Sequence, residues 1–220
     1  MFRKPIRNKV LIIATAVLAG VMLLLTCTAQ RRIAVRSFLR DSEIPRPSLG
    51  AYGYVVFTKM PGRSDSLRYV KTCEAYRQCL PPAGEFEDRS PGQIMMTYWP
   101  LALRYYEPPE VDSCSFCIDH YDYSLGYEIA SNLDKASAKG PLLVAWEKPF
   151  EANDEDAKAI IIDLSMFPDD ELDRAFLIWR DRITRDPAAW QNGLKLLMFR
   201  EAFRNALLIG SESIVSGLKL

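Results

Sequence analysis

The sequence predicts an α/β fold: a layered domain with a mixed sheet of about four strands and flanking helices, preceded by one N-terminal transmembrane helix. Three observations lead to this prediction. Residues 10–30 contain no charged side chain. Short apolar runs then alternate with segments of helical periodicity. Two further segments near the C-terminus begin with helix start signals, so the predicted order is strand, helix, strand, helix, strand, strand, helix, helix.

The uncharged segment, "VLIIATAVLAGVMLLLTCTAQ", is long enough to cross a bilayer, because about 20 helical residues span roughly 30 Å. Residues 1–9 form a basic tail before it. Basic side chains flank it on both sides, so the positive-inside rule favours a cytoplasmic N-terminus only weakly. Those side chains are Arg3, Lys4, Arg7, Lys9, Arg31, Arg32, Arg36 and Arg40. We expect an uncleaved single-pass signal-anchor, with the main domain outside the cytoplasm in a periplasmic-type compartment.

Three alternatives for this segment stay open. It could be a signal peptide cleaved before Gln30, because Cys27 and Ala29 are small residues at the spacing that cleavage needs. It could be a lipoprotein signal acylated at Cys27, although Thr26 suits that reaction poorly. It could also be an anchor of the opposite sense, which would place the domain in the cytoplasm.

Charge excludes one class of partner. Six of the 28 basic side chains and none of the 28 acidic ones lie in the first 32 residues, so the remaining 188 residues carry 22 basic and 28 acidic groups. Such a domain is a poor nucleic-acid binder, since phosphate neutralisation needs clustered Lys and Arg.

The length of the chain after the anchor fits one domain. The predicted organisation is a linker over 31–49 and a single α/β domain over 50–220 that ends in two helices.

The first predicted elements follow that linker, whose "IPRP" disfavours helix. "AYGYVVFT", 51–58, is an apolar and β-branched run that predicts a buried strand. Ser64 or Asp65 can cap a helix over about 65–80. The apolar stripe of that helix comprises Leu67, Val70, Cys73 and Tyr76.

The next strand, 94–106, contains Pro100, which predicts an edge strand or a bend because proline cannot donate to a ladder. Asp112 or Ser113 can cap a following helix over about 114–134. Its predicted stripe comprises Phe116, His120, Tyr123, Tyr127 and Ala130.

Two buried strands follow, in "LLVAW" and "AKAIIIDLS". Their short connection predicts an antiparallel pair. A helix beginning at Pro168 should bury Leu172, Phe176, Trp179 and Ile183. A last helix should run from Pro187 to about Leu208 and be buried on more than one side.

The cysteines are the main chemical signal after the anchor: Cys73, Cys79, Cys114 and Cys117. An even number outside the cytoplasm is typical of structural disulfides, and we expect cross-links between the first and second helices. A redox-active Cys114–Cys117 pair, a metal site and buried thiols are the alternatives. No c-type haem site fits, because His120 is not adjacent to Cys117.

Candidate site residues are few, and no catalytic motif is present. His120, the only histidine, could form an acid–base cluster with Asp119 and Asp122, although a core histidine beside solvated carboxylates is the simpler interpretation. Candidate binding residues are the aromatic set beside Pro100 and a polar pair at the carboxyl end of the last strand. They are Tyr98, Trp99, Tyr105, Tyr106, Asp163 and Ser165. No cofactor and no metal is predicted.

The predicted function is a membrane-anchored extracytoplasmic binding or assembly protein that is not a catalyst. Its partners would be the lipid bilayer, through residues 10–30, and a protein partner or a second copy of the chain. One alternative is an extracytoplasmic thiol-redox or hydrolytic enzyme centred on Cys114, Cys117 and His120. The other is a membrane-bound sensor that faces the cytoplasm.

Overall fold

A five-stranded mixed sheet forms the centre of the domain, and it confirms the predicted α/β class with flanking helices. The computed structural model of the protein describes residues 32–63, 65–104, 113–150 and 159–185. The strands are β1 Ile33–Arg40, β2 Ala51–Val56, β3 Ile94–Leu101, β4 Leu142–Trp146 and β5 Ile160–Asp163. Their spatial order is β1-β3-β2-β4-β5. β1, β3 and β2 are parallel, whereas β4 pairs antiparallel with both β2 and β5, as predicted for the last two strands.

In the described part of the chain, four α-helices and several short 3₁₀ turns accompany the sheet. The helices are α1 Ser66–Cys79, α2 Cys114–Asp119, α3 Tyr123–Asn132 and α4 Leu172–Arg185. The 3₁₀ turns are Ala83–Phe86, Pro91–Gln93, Leu164–Met166 and Asp169–Glu171. α1 and α4 lie close to their predicted positions, and Phe176 and Trp179 of the predicted α4 stripe are fully buried. In α1 the predicted Leu67 is instead exposed, and the helix buries Tyr69 in its place.

The predicted linker over 31–49 is wrong in its first half, because β1 occupies Ile33–Arg40. Its arginines concealed the alternation of apolar residues, in which Val35 and Leu39 face one side of the sheet and Ala34 the other. Arginine is compatible with this position because β1 is an edge strand. The Nε–H of Arg36 donates to the carbonyl oxygen of Leu80, 2.9 Å away, along that edge.

Of the two alternatives predicted for Pro100, an edge strand or a bend, the edge strand is wrong, because β3 lies between β1 and β2. The last residue of β3 that pairs with β2 is Tyr98, so the proline follows the point where β2 diverges. The carbonyl oxygen of Pro100 accepts from Asp122 N–H at 3.2 Å. A strand residue directs its N–H and C=O to the same side, so the N–H that proline lacks lies away from β1 and leaves that ladder intact.

The single helix predicted over 114–134 is in fact two helices, α2 and α3, separated by His120–Asp122. The Asp122 carboxylate begins the second helix by accepting from Leu125 N–H at 2.9 Å. The predicted stripe is therefore divided, with Tyr127 exposed and Ala130 buried.

Both faces of the sheet are buried, each in its own apolar cluster. The first contains an aromatic group from the sheet, α1, α4 and the turn before α3: Phe57, Tyr69, Tyr76, Trp99, Tyr121, Phe176 and Trp179. The second includes Ile129 and Ala130 of α3 together with residues of the other sheet face, among them Val35, Tyr52, Tyr54, Met96, Tyr98, Val144 and Trp146. The sheet is thus enclosed between two apolar layers, as expected where neighbouring strands such as β1, β3 and β2 are parallel.

Several predictions lie outside the described residues. They are the membrane segment 10–30, the tyrosines 105 and 106, and the last helix. Among the helices of the described ranges, none combines the length and apolarity needed to cross a membrane.

Candidate functional site

A disulfide between Cys73 of α1 and Cys114 of α2 is the main covalent feature of the domain. Their Cα atoms lie 5.7 Å apart, and the bridge joins residues separated by 41 positions. That spacing is ordinary for a disulfide. The predicted cross-link between the first two helices is confirmed, and Cys114 pairs with Cys73 rather than with Cys117, its partner in the Cys-x-x-Cys motif.

The other two cysteines of the domain, Cys79 and Cys117, are buried thiols, so the described residues contain one of the two predicted bridges. Burial raises the pKa of the Cys79 thiol to about 11, and the nearby Asp173 carboxylate acts in the same direction. A thiol with such a pKa is almost entirely protonated at neutral pH and is a poor nucleophile. Cys117 is fully buried, and its carbonyl oxygen accepts from the Trp99 indole N–H at 3.0 Å.

His120 ends α2 and is partly exposed. Its Nδ1 lies 3.0 Å from the carbonyl oxygen of Phe116, one helical turn earlier, and the ring stacks on that of Phe116 with centroids 4.2 Å apart. The hydrogen bond requires the proton on Nδ1. The ring of His120 therefore contacts the last turn of α2 and stabilises the end of that helix, which is a structural role.

The two carboxylates beside His120 have different surroundings. Asp122 caps α3, as described above, while Asp119 is exposed at the end of α2. The charge of Asp119 acts on Tyr123, whose pKa is raised first by burial and then by its charged and ionisable neighbours. One carboxylate therefore has a structural partner, and the other faces solvent beside the only histidine.

Tyr121 fills the gap between the carboxyl ends of β2 and β3. It is almost fully buried, its hydroxyl donates to Val55 O at 2.9 Å, and the same oxygen accepts from Phe57 N–H at 3.1 Å. The backbone on either side of Tyr121 continues the ladder beside β3, where Ala102 N–H donates to His120 O at 2.9 Å. In α/β proteins the crevice at the carboxyl ends of parallel strands is the usual ligand site. Here a side chain of the protein itself occupies it.

Sequence reasoning missed Tyr121 because it placed a continuous helix there. The signal that identifies it is Asp122, a favourable N-cap residue three positions before Leu125. Reading Asp122 as the start of a second helix would have placed Tyr121 in the turn between two helices.

The aromatic candidates Tyr98 and Trp99 are buried on opposite faces of β3. Tyr98 packs against Tyr54 with ring centroids 5.6 Å apart, and Trp99 packs against Phe57 at 5.3 Å. Neither ring is presented to solvent, so both contribute to the core of the domain.

The polar pair at the carboxyl end of β5, Asp163 and Ser165, forms a local turn. The Asp163 carboxylate accepts from Ser165 N–H at 2.9 Å and so caps a 3₁₀ turn. Ser165 also packs closely against Gly140, where an added Cβ would collide with the serine side chain. These contacts are those of a helix-entry cap.

A shallow, open depression lies at the carboxyl end of β1 and is lined by charged side chains. The Arg40 guanidinium pairs with Glu43 at 3.2 Å, and that of Arg104 pairs with Asp41 at 3.3 Å. All four side chains are at least 40% exposed, and such surface pairs contribute little to stability. The two charges of each sign compensate one another, so this depression has no net preference for an anion or a cation.

The described residues contain no group of three or more His, Cys, Asp or Glu side chains placed to bind a metal ion. Compared with family models, curated proteins and solved structures, the chain shows no match to any of the three.

Proposed function

We propose that this chain is a membrane-anchored, extracytoplasmic protein that binds or assembles with a partner through the surface of its α/β domain, without catalysis. The observation that carries the proposal is the Cys73–Cys114 disulfide in a domain that follows an uncharged segment of membrane-spanning length. Disulfides persist in oxidising compartments outside the cytoplasm. The anchor at residues 10–30 supplies the route to such a compartment.

The use of the chemically reactive side chains favours binding over catalysis. Tyr121 fills the crevice at the end of the parallel strands, Asp122 caps a helix, and His120 closes another. Cys79 has a raised pKa and Cys117 is fully buried. A binding surface needs none of these groups, whereas a general acid or base must be within reach of a substrate.

Counting thiols tests the compartment. The full chain, expressed at native level, is quenched in acid, denatured and reacted with a mass-tagged maleimide, with and without prior reduction. An intact anchored chain should take three tags without reduction, at Cys27, Cys79 and Cys117, and five after it. Cleavage before Gln30 would change these counts to two and four. Five tags without reduction would contradict export and favour the cytoplasm-facing sensor.

Two variants identify the bridge in the same assay. Cys73→Ala should take four tags with or without reduction, since Cys114 loses its partner. Cys117→Ala should keep the bridge and take two tags without reduction. If Cys117→Ala instead released Cys114 for labelling, the two cysteines would be a redox pair, and the enzyme alternative would replace the binding proposal.

The mass of the native particle tests assembly. The chain has a mass of 25.0 kDa. After mild detergent extraction from its own membranes, light scattering corrected for detergent should give a protein mass of at least two chains, or of one chain plus a partner. A protein mass of one chain would contradict assembly.

A further inference from the structure

We propose that two copies of this chain join through their β5 strands, which pair antiparallel with Ile161 of one copy opposite Ile161 of the other. This inference deepens the assembly role proposed above and rests on it, because it names both the partner and the surface. One continuous sheet then runs through the two domains.

The outer side of β5 presents backbone groups that no residue of the described ranges bonds. β5 pairs only with β4 in the sheet, and Leu164 N–H donates to Pro141 O at 2.9 Å beside it. Because residues of an antiparallel strand alternate between facing the neighbouring strand and facing away from it, Ile162 directs its N–H and C=O towards β4. Ile161 and Asp163 therefore direct theirs outward, where the described residues supply no partner.

The opposite edge of the sheet, formed by β1, is blocked by the chain itself. Arg36 N–H donates to Pro81 O at 2.9 Å, and Arg40 N–H donates to the Glu43 carboxylate at 3.1 Å. An open strand edge is a template for pairing with another chain, and proteins commonly cover or interrupt such edges. The contrast between the two edges identifies β5 as the place where a further strand can add.

The sequence of β5 suits a second copy of itself. Two identical strands that pair antiparallel are related by a twofold axis, as in most homodimers. A register centred on Ile161 places Ile160 opposite Ile162 of the second copy, so every isoleucine of β5 faces an isoleucine. Ile160 and Ile162 are buried on one face of the sheet, and Ile161 is half-buried on the other. Both apolar layers therefore continue into the second domain, where cross-strand side-chain contacts stabilise the joined sheet.

The charge of Asp163 favours this register over its nearest alternative. With the axis at Ile161, the two copies of Asp163 lie four residues apart along the strands, roughly 13 Å at about 3.3 Å per residue. That separation exceeds the Debye length of about 8 Å at physiological ionic strength, so their repulsion is largely screened. An axis at Ile162 would reduce the separation to roughly 7 Å.

The mass of the full chain, extracted from its own membranes in mild detergent, tests the pairing. Light scattering corrected for detergent should give two chains for the unsubstituted protein and one chain for Ile161→Lys, because two ammonium groups would meet at the axis. Ile44→Lys is the matched control, at a loop position that is 85% exposed, and should retain two chains. Tryptophan fluorescence and an intact Cys73–Cys114 bridge report that each variant is folded.

Cross-linking in the membrane tests the register without disturbing the edge by a charge. Opposite residues of a bonded antiparallel pair have Cα atoms about 5.5 Å apart, which is within the range of a disulfide. In a Cys27→Ala background, Ile161→Cys should therefore form a linked dimer on mild oxidation. Ile44→Cys is the control and should give several-fold less of that dimer.

The outcomes separate this inference from the proposed function. A mass of one chain for the unsubstituted protein would overturn both the β5 pairing and the proposed assembly. A mass of two chains that persists in folded Ile161→Lys would overturn only the β5 pairing, and so would a particle of one chain with a different protein. Linked dimer that is no more abundant from position 161 than from position 44 would also overturn the β5 pairing alone.

Discussion

Breaking the Cys73–Cys114 bridge should cost a large part of the stability of the domain. A cross-link restricts the unfolded chain, and for a loop of 41 residues the chain-entropy relation gives about 13 cal/mol/K, or roughly 4 kcal/mol at 25 °C. We therefore expect Cys73→Ala to lower the free energy of unfolding by about 4 kcal/mol, within a range of about 2 to 5 kcal/mol. Many domains have a total stability of only about 5 to 15 kcal/mol.

A cycle of variants separates the bridge from ordinary packing. Cys73→Ala and Cys114→Ala each remove the same bond, so the double variant should be only slightly less stable than either single one. Cys117→Ala is the matched control, because Cys117 lies one turn further along α2, is fully buried and is outside the bridge. That control should cost about 1 kcal/mol, a typical cost of a single substitution.

The assay is urea unfolding of the full chain in detergent micelles, followed by tryptophan fluorescence, with and without a reducing agent. Trp99 and Trp179 are both fully buried, so unfolding should shift their emission. A reductant should lower the stability of the unsubstituted chain and leave Cys73→Ala unchanged. Additive losses from the two bridge variants, or a loss below about 1 kcal/mol, would refute the reasoning.

Three further substitutions test other parts of the domain by the same unfolding assay. Tyr121→Phe should lower the free energy of unfolding by about 2 kcal/mol, because it leaves a buried backbone N–H and C=O without their hydroxyl partner. Tyr123→Phe loses one half-buried hydrogen bond and should cost about 1 kcal/mol or less. Equal losses from the two variants would contradict this reasoning. Gly126→Ala should lower the free energy of unfolding by more than about 2 kcal/mol, since its Cβ would overlap a backbone carbonyl oxygen. Gly92→Ala, whose Cβ would meet no neighbour, should be nearly neutral. A stable Gly126→Ala variant would refute this reasoning. Burial raises the pKa of Cys79 from 9.0 to about 11, so the thiol contributes stability below pH 9 that is lost as the pH rises towards 11. In Cys79→Ala, a plot of the free energy of unfolding against pH should lack the decline between pH 9 and about pH 11.

Much of the sheet could be predicted from the sequence, and the errors have physical causes. The strands at 51–56 and 142–146 are apolar runs that are buried on both faces, which is a strong local signal. β1 was missed because its arginines suit an edge strand, where a side chain can reach solvent or the neighbouring backbone. The sequence predicted an edge strand or a bend at Pro100, whereas β3 lies between β1 and β2. A proline removes a hydrogen-bond donor on only one side of its strand, and the three-dimensional register decides which neighbouring strand that side faces.

The candidate site was harder to predict, because it depends on contacts between distant residues. Cysteine counting and helix spacing predicted the cross-link between the first two helices, but which cysteines pair depends on how α1 and α2 pack. Tyr98 and Trp99 are adjacent in sequence, and strand geometry alone places them on opposite faces. Recognising both as core residues required knowing that each face of the sheet is covered.

The position of Tyr121 has a consequence for where a partner could bind. In an α/β domain the crevice at the carboxyl ends of the parallel strands is the preformed place for a small ligand, and here the Tyr121 hydroxyl bonds to backbone atoms at the end of β2. A ligand entering there would have to displace a buried ring and break two buried hydrogen bonds, at a cost of several kcal/mol by the usual scale. A partner that binds the outer surface pays no such cost. The partner that we propose should therefore be recognised by exposed elements of the domain rather than in this crevice.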